Sequence, residues 1–583
     1  MKHLKIGPYG LAASGIILLA SVMRVTLIAQ GWPLTNGDEG TIGLMALHIA
    51  YQGAHPIFYY GQNYMGSLEA FIAAPLFYLF GPSLFAVRLG MALLFALFLV
   101  CMYLLVRLLY TKNFALVSLA LLSLGSDQVL LRELRAIGGY GETTFFGALL
   151  LLLAAWIACS YSDARHSAIG RMRLRGLAYA GWGLAAGLGL WSDLLIAPFV
   201  LVSAVFIFLF CRQELRTRAT IYLLLGFVVG AAPLLYYNIT SPLNNSLAIF
   251  LSLHRGGVVS GVVGPFPIVQ QIMGTFLVAI PYATNAHPLC SQTEFSPFGP
   301  QGPHFLQCVL FQGLWGIGFF ALWLLAVVLA ARVAWSCWRR QRARGETEET
   351  SIAEQRHTLV LEGARLMVLA SAGLILLSYV LSPVAALGPW TTWRYLFGLL
   401  AAVPALLWPL WRGSVARNKP AETVSSGEPA PRKPARNLSL SISGWLLLLL
   451  LGSVFVAGTI GAFGEVPAVQ RFNQQQDALI HDLQGIGQRH IYAGYWICNQ
   501  LTFQSQERVI CAVLDTHLRP GFDRYLPYRA TVNADAHAAY VFLLNDSHGD
   551  DPQATTFEQW STRSGGRYRR YVFEGYAVYV PQP

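Results

Sequence analysis

The stretch LAASGIILLASVMRVTLIAQ (11–30), running straight into GWPLTNGDEGTIGLMALHIAYQG (31–53), decides how this chain is read. A helix needs roughly 20 apolar residues to cross a hydrocarbon core of about 30 Å, and the first part has that length. It lacks a small-residue cleavage site before the polar sequence, so it reads as an anchor and not as a removed signal. Beyond it lies an acidic pair, Asp38-Glu39, in a segment from Gly31 to Gly66 that has no Lys or Arg. Behind the pair, Ile42, Met45, Ala46, Ile49 and Ala50 repeat at the spacing of an amphipathic helix.

Composition widens that reading to the whole chain. Of 583 residues, 55% are hydrophobic and 12% charged, and the mean hydropathy is +0.49. Soluble domains carry about 25% charged residues, so much of the usual solvated surface is replaced by surface suited to lipid. Apolar runs lie at 11–30, 83–109, 114–130, 143–160, 176–191, 194–211, 219–236, 309–335, 359–381, 395–411 and 440–463. The Gly and Pro that interrupt them are tolerated in membrane helices. The fold class expected is a mainly α, polytopic membrane protein of about eleven spans with a small C-terminal α/β domain.

A net charge of +11 could suggest nucleic acid, but its placement argues against that. Basic residues collect at 161–175 (Arg165, Arg171, Arg173, Arg175), 212–218, 338–344 (Arg339, Arg340, Arg342, Arg344) and 412–436, whereas 238–308 has only Arg255. Short basic loops mark the cytoplasmic side. With Lys2 and Lys5 inside, eleven spans place all four basic loops in the cytoplasm and everything after Ile460 outside. The segment SLEAFIAAPLFYLFG (67–81) is apolar but short, and counting it as a span would invert this parity, so it is read with 38–53 as a pair of juxtamembrane helices. Cysteines agree: Cys290 and Cys308 share one expected outer loop, and Cys498 and Cys511 share the C-terminal domain, two candidate disulfides on an oxidising side.

The chain divides into a membrane core, 1–411, with outer loops at 31–82 and 238–308; a cytoplasmic linker, 412–438, containing GSVARNKPAETVSSGEPAPRKPAR; a last span, 439–463; and an extracytoplasmic α/β domain, 464–583. In that domain a helix over 466–486 precedes strand-like HIYAGYW, RVICAV, AAYVFLL and RYVFEGYAVYV. Its aromatics Tyr492, Tyr495 and Trp496 read as core more than as a sugar platform.

Charge near lipid is costly and marks cavities and function. Asp38 alone could be a helix cap. Glu142, opening GGYGETTFFGALLLLLAAW, adds a second carboxylate at the same expected face. Arg88, Arg132, Arg135 and Arg394 also fall outside, against the positive-inside bias. Arg132-Glu133 and Arg135 could satisfy one another or reach to headgroups; converging beside carboxylates, the four arginines suit a phosphate anion. A phosphorylated lipid is the implied substrate.

A span, an Asp-Glu loop, two juxtamembrane helices and then FGPSLFAVRLG before a long span resembles the GT-C superfamily of membrane glycosyltransferases, nearest to the protein O-mannosyltransferases and aminoarabinose–lipid A transferases. The likeness covers 8–240 well and 380–410 weakly. It implies a polyprenyl-phosphate sugar donor, a catalytic carboxylate at Asp38 with Glu39 beside it, a second carboxylate at Glu142 where an Asp is more usual, and arginines at Arg88 and at Arg394-Tyr395. The first loop departs from the family: YYGQNYMGSLEA offers neutral Gln62, Asn63 and Tyr64, with Glu69 the only charge. These four, with Tyr140 and Tyr395, are the expected sugar or acceptor contacts. The mechanism implied is a single inverting displacement, with Arg side chains stabilising the leaving phosphate and Asp38 taking the acceptor proton. A divalent cation (Mg or Mn), held by Asp38 and Glu142, stays open; the acceptor is a protein, lipid or glycan hydroxyl. The competing class is a transporter or flippase, disfavoured because the runs carry little charge at their centres, Asp193 excepted, and show no repeated halves.

Overall fold

The computed structural model describes residues 7–161, 169–241, 245–246, 248–249, 267–290, 302–343, 349–415, 438–544, 552–564 and 567–582. Most of the expected linker 412–438 and much of the loop 238–308 lie outside these residues. The first half of the chain gives helices α1 (Pro8–Ala29), α2 (Gly37–Gln52), α3 (Leu68–Phe80), α4 (Leu84–Leu109), α5 (Lys112–Ser123), α6 (Asp127–Leu134), α7 (Tyr140–Tyr161) and α8 (Ile169–Ser192). The two helices expected between the first spans are α2 and α3.

Eight helices among the described residues are long and apolar enough to cross a membrane, and ten if two bent pairs each count as one span. The chain is thus a multi-pass membrane protein, with fewer clear spans than the eleven runs suggest. The run 176–191 lies in α8, which is not among them. Its N-terminal turns carry Arg171, Arg173 and Arg175, and its small residues serve close packing. A Cβ on Gly183 would stand 2.1 Å from the Leu223 carbonyl oxygen, and one on Gly226 2.1 Å from that of Ala180. Two helix backbones therefore touch, the usual role of small residues between membrane helices.

The run 114–130 is broken, with α5 and α6 meeting at 86°. The break at Gly125-Ser126 leaves backbone groups that lipid cannot satisfy. Thr459 Oγ1 accepts from Gly125 N at 3.2 Å and donates to Gly125 O at 3.0 Å, Asn285 Oδ1 accepts from Ser126 N at 2.8 Å, and the Ser126 hydroxyl caps α6. The bend turns α6, with Arg132 and Glu133, across the end of the bundle.

The last span and the helix expected after it form one rod, Leu438–Gly485, 48 residues long with Pro467 inside it. At 1.5 Å per residue it reaches about 70 Å, more than twice a hydrocarbon core. Along it, Ala462, Val466 and Val469 pack with Leu27, Ile28 and Trp32, whereas Leu479 and Leu483 enter the core of the C-terminal domain. That domain is a five-stranded sheet in the order β2-β1-β3-β5-β4: β1 (His490–Gly494), β2 (Ile510–Leu514), β3 (Ala539–Leu543), β4 (Tyr568–Phe573) and β5 (Tyr576–Pro581). β1 runs parallel to β2 and β3; β5 is antiparallel to β3 and β4. The stretch RYVFEGYAVYV is a hairpin, turned at Glu574 and Gly575, both with positive φ (43° and 85°) as a two-residue turn of this hand requires. HIYAGYW is a strand only to Gly494; Tyr495–Gln504 is a helix. Both expected disulfides, Cys290–Cys308 and Cys498–Cys511, are formed.

Candidate active site at the end of the bundle

The C-terminal end of α1, the N-terminal ends of α4 and α7, the end of α8 and the 3-10 turn Trp393–Ala402 gather at one end of the bundle, under α2, α3 and the C-terminal domain. Asn36, not Asp38, caps α2: its Oδ1 accepts from Glu39 N at 3.0 Å. The acidic pair is thus free for other partners, and successive residues of a helix point about 100° apart. Glu39 turns inward and is fully buried. Its two oxygens accept from Arg88 Nε (2.9 Å) and Nη2 (2.6 Å), while Arg88 Nη1 donates to Gly31 O at 2.8 Å. All three Arg88 nitrogens are therefore engaged. Glu39 and Arg88, expected as a catalytic carboxylate and a phosphate-binding arginine, answer one another here as a buried forked pair.

Asp38 turns the other way, its side chain 18% exposed. Its Oδ1 accepts from Tyr495 Oη at 2.5 Å, from Arg524 Nη2 at 3.0 Å and from Tyr59 Oη at 3.3 Å. Tyr495 and Arg524 belong to the C-terminal domain; the Tyr495 ring packs against that domain's core, as expected, while its hydroxyl reaches out to Asp38. Arg524 Nε donates to Tyr495 Oη at 2.7 Å, and its guanidinium lies 4.7 Å from the Tyr59 ring centroid.

The anticipated pairing of Arg132 with Glu133 does not form. Glu133 Oε2 accepts from Arg24 Nε (2.9 Å) and Nη2 (2.6 Å), a buried pair tying α1 to α6. Arg132 stands instead over the rings of Tyr140 (5.3 Å) and Trp393 (5.5 Å), and Arg394 over Tyr140 (5.9 Å) and Tyr395 (5.6 Å). Arg135 Nη2 donates to Leu34 O. Arg132, Arg135 and Arg394 all lie within electrostatic reach of Asp38. Among the described residues, Arg132 Nε and Nη1, Arg135 Nε, Arg394 Nε and Arg524 Nη1 are buried without a protein hydrogen-bond partner. Buried N–H groups are paired nearly always, so a concentration of unpaired ones around a single carboxylate points to an anionic ligand.

Carboxyls gather beside the arginines. Glu69 on α3 is buried, accepts from Gly138 N at 2.9 Å and faces Glu142 of α7. Burial and the neighbouring Glu142 carboxyl hold the Glu69 carboxyl well above the usual range. Asp193, at the end of α8, is pushed up to about 7, first by burial and then by Glu142, against the Leu195 N–H it accepts. Gly139 has φ +80°, and a Cβ there would lie 2.5 Å from Asp193 Cβ, so only glycine lets α7 start this close. Tyr64 faces Tyr395, Asp193, Arg524 and Arg394, and burial pushes its phenol up to about 12. Tyr140 and Tyr395 stack at 6.5 Å. Gln62 and Asn63 are half-buried in the same loop, Gln62 Oε1 without a protein partner. A separate cavity of about 430 Å³, lined in part by Glu362, Arg365, Trp408 and Arg412, opens beside Tyr110 at the far end of α4 and shares no residue with this site.

Tyr59, Asp193, Tyr495 and Arg524 are the site residues that sequence reasoning missed. Asp193 had a signal, as the lone charge at a span junction. Arg524, in RPGFDRYLPY (519–528), had none: a basic residue in a polar domain is ordinary. For a metal, the donors do not converge. Among the described residues no three His, Cys, Asp or Glu side chains could hold an ion together, and Asp38 and Glu142 have separate partners.

No family model and no curated protein matches the chain. Solved structures do. ArnT from Cupriavidus metallidurans, bound to undecaprenyl phosphate, superposes with a TM-score of 0.53 at 13% identity, covering 97% of each chain. The oligosaccharyltransferase AglB from Archaeoglobus fulgidus, in complex with an inhibitory peptide and a dolichol-phosphate, gives 0.43 at 14% identity, covering 98% of this chain and 74% of that one. The first of these likenesses runs end to end, and with the Asp-Glu loop and broken spans in place, the chain has the fold of the GT-C membrane glycosyltransferases.

Proposed function

We propose that the protein is an inverting glycosyltransferase that moves a sugar from a polyprenyl-phosphate donor to a hydroxyl acceptor at the extracytoplasmic face of the plasma membrane. The observation that carries this is the set of buried, unpartnered guanidinium N–H groups on Arg132, Arg135, Arg394 and Arg524 ranged about the Asp38 carboxylate. The fold shared with a protein that binds undecaprenyl phosphate supports a donor of that class. The side of the membrane rests on the basic loops and on the two disulfides, one in the domain that covers the site.

The acceptor oxygen attacks the anomeric carbon as its proton passes to Asp38. The bond from that carbon to the phosphate oxygen breaks, and its electron pair leaves with the polyprenyl phosphate. Arg132 and Arg394 stabilise the charge that develops there, in a partly dry site where fixed donors act strongly. Tyr64, Tyr140, Tyr395, Gln62 and Asn63 offer rings and neutral hydrogen-bonding groups to the sugar and acceptor; the carboxyls of Glu69, Glu142 and Asp193 hydrogen-bond to hydroxyls. No step is assigned to a metal, and turnover after exhaustive chelation tests that assignment.

Purified full-length protein incubated with radiolabelled polyprenyl-phosphate sugars, with and without acceptor, is expected to form product by cleaving the donor. Asp38→Asn is expected to abolish product while the protein still folds. A normally folded, fully active Asp38→Asn variant overturns the base assignment. Vectorial movement of the lipid without bond cleavage would make the protein a flippase.

A further inference from the structure

The C-terminal domain is joined to the membrane core through the base of the site. Along α2, Gly37, Gly40 and Gly43 face the helix Tyr495–Gln504, and a Cβ on Gly40 would lie 2.7 Å from the Asn499 backbone. Asn499 Nδ2 donates to Thr41 Oγ1 at 3.0 Å within that seam. This close approach sets Tyr495 at the acidic end of α2. The segment holding Arg524 is fixed from the other side, by Phe522 and Arg524 against Gly61 of the first loop. Arg524 thus stands between two kinds of partner. Nη2 and Nε hold Asp38 and Tyr495, while Nη1, equally buried, has no protein partner.

Arg524 and two phenols occupy Asp38 Oδ1, one of the two oxygens through which the carboxylate can take a proton. A guanidinium with one donor to spare, on the carboxylate that Arg132 and Arg394 also face, is already placed for a second anion. We propose that Arg524 is a donor-binding switch supplied by the C-terminal domain: without donor it neutralises Asp38, and when the donor phosphate arrives its guanidinium passes to the phosphate oxygens and frees Asp38 to accept the acceptor proton. The proposal rests on the polyprenyl-phosphate donor. It gives the domain a part in ordering the reaction, because Asp38 becomes available only after the phosphate is bound. The guanidinium is suited to this exchange, since its forked, permanently charged face can bridge two oxyanions.

The test is binding of undecaprenyl phosphate to the full-length protein in nanodiscs. Arg524→Gln is expected to weaken binding by about 10- to 100-fold, the range for one charge-assisted hydrogen bond. Asp38→Asn is expected to tighten it by several-fold, because the competing anion is gone. In the Arg524→Gln background that gain is expected to vanish, a non-additivity that a merely structural role for Arg524 would not produce. Wild-type affinity in Arg524→Gln, with affinity lost in Arg394→Gln, overturns the switch and leaves the donor reading standing. Failure of the wild-type protein to bind the probe, or indifference of all the arginine variants, overturns both. Where Arg524→Gln does not fold, Arg524→Lys serves: a Lys keeps the charge but cannot fork between two anions, so affinity falls several-fold, and unchanged affinity counts against the proposal.

Discussion

Asp38 and Glu39 differ by one position and by one helical step of direction. Glu39 is sealed against Arg88, and removing one member of a buried pair leaves the other charge unanswered, at a cost of about 3–5 kcal/mol. Glu39→Gln is therefore expected to lower stability by that amount in chemical unfolding of the detergent-solubilised protein, and Asp38→Asn, at a partly exposed carboxylate, by less. Joint replacement of Glu39 and Arg88 by Gln and Met is expected to cost less than the two single changes summed. Asp193 supplies a pH dependence. Its folded carboxyl titrates at about 7, above the value of a free aspartate, so the folded state keeps a proton that the unfolded chain has released. That contribution is complete at about pH 4 and is lost as pH rises through 7. Asp193→Asn, which preserves an acceptor for Leu195 N–H, is expected to gain on wild type as pH rises from about 4 to 7, by up to about 1.4 kcal/mol per pH unit and with no further gain above that, measured as the difference in unfolding free energy. The presence of these charges was legible in the sequence because they stand out from apolar surroundings. Their pairing was not, since Arg24 with Glu133 and Arg88 with Glu39 join residues 109 and 49 positions apart, and nothing local in the chain records such a contact.

Elements were legible where periodicity or length decides them: α2 by its amphipathic spacing, α3 as an apolar helix of 13 residues, too short to span. They were not legible where tertiary partners decide. The run 114–130 reads as one span, but its 86° bend depends on Thr459 and Asn285, far along the chain, to satisfy the freed backbone. The same holds for the glycines of α2. Gly37, Gly40 and Gly43 look like weak points in a helix, each costing about 1 kcal/mol relative to alanine. Beside Tyr495–Gln504 they are what permits contact between two backbones. Gly40→Val is expected to part the seam: limited proteolysis should open the chain around Tyr495–Gln504, and activity should fall sharply with Asp38 untouched. A resistant, active variant would show that the seam tolerates a side chain it has no visible room for.

At the scale of the molecule, a rod of 48 residues carries the C-terminal sheet back onto the end of the bundle where α1, α4, α7 and α8 bring their polar ends. Composition predicts the membrane core and the mixed domain separately. Only the structure shows that the domain closes the site, because the contacts are made by Tyr495 and Arg524, more than 450 positions from Asp38. The site, the disulfide Cys498–Cys511 and the domain must share a side, and the α4–α5 turn must lie on the other, because α4 runs from Arg88 at the site to Tyr110 at the far end. The four described cysteines outside the disulfides, Cys101, Cys159, Cys211 and Cys337, are buried and give a quiet background. Thr562 in the domain and Asn113 in the first turn of α5, just past the α4–α5 turn, are both exposed. In intact cells a membrane-impermeant maleimide is expected to label Thr562→Cys at once and Asn113→Cys only after permeabilisation. The reverse pattern would place the site in the cytoplasm, where a donor presented from the outer leaflet could not reach Arg132 and Arg394, and the extracytoplasmic reading would fall with it.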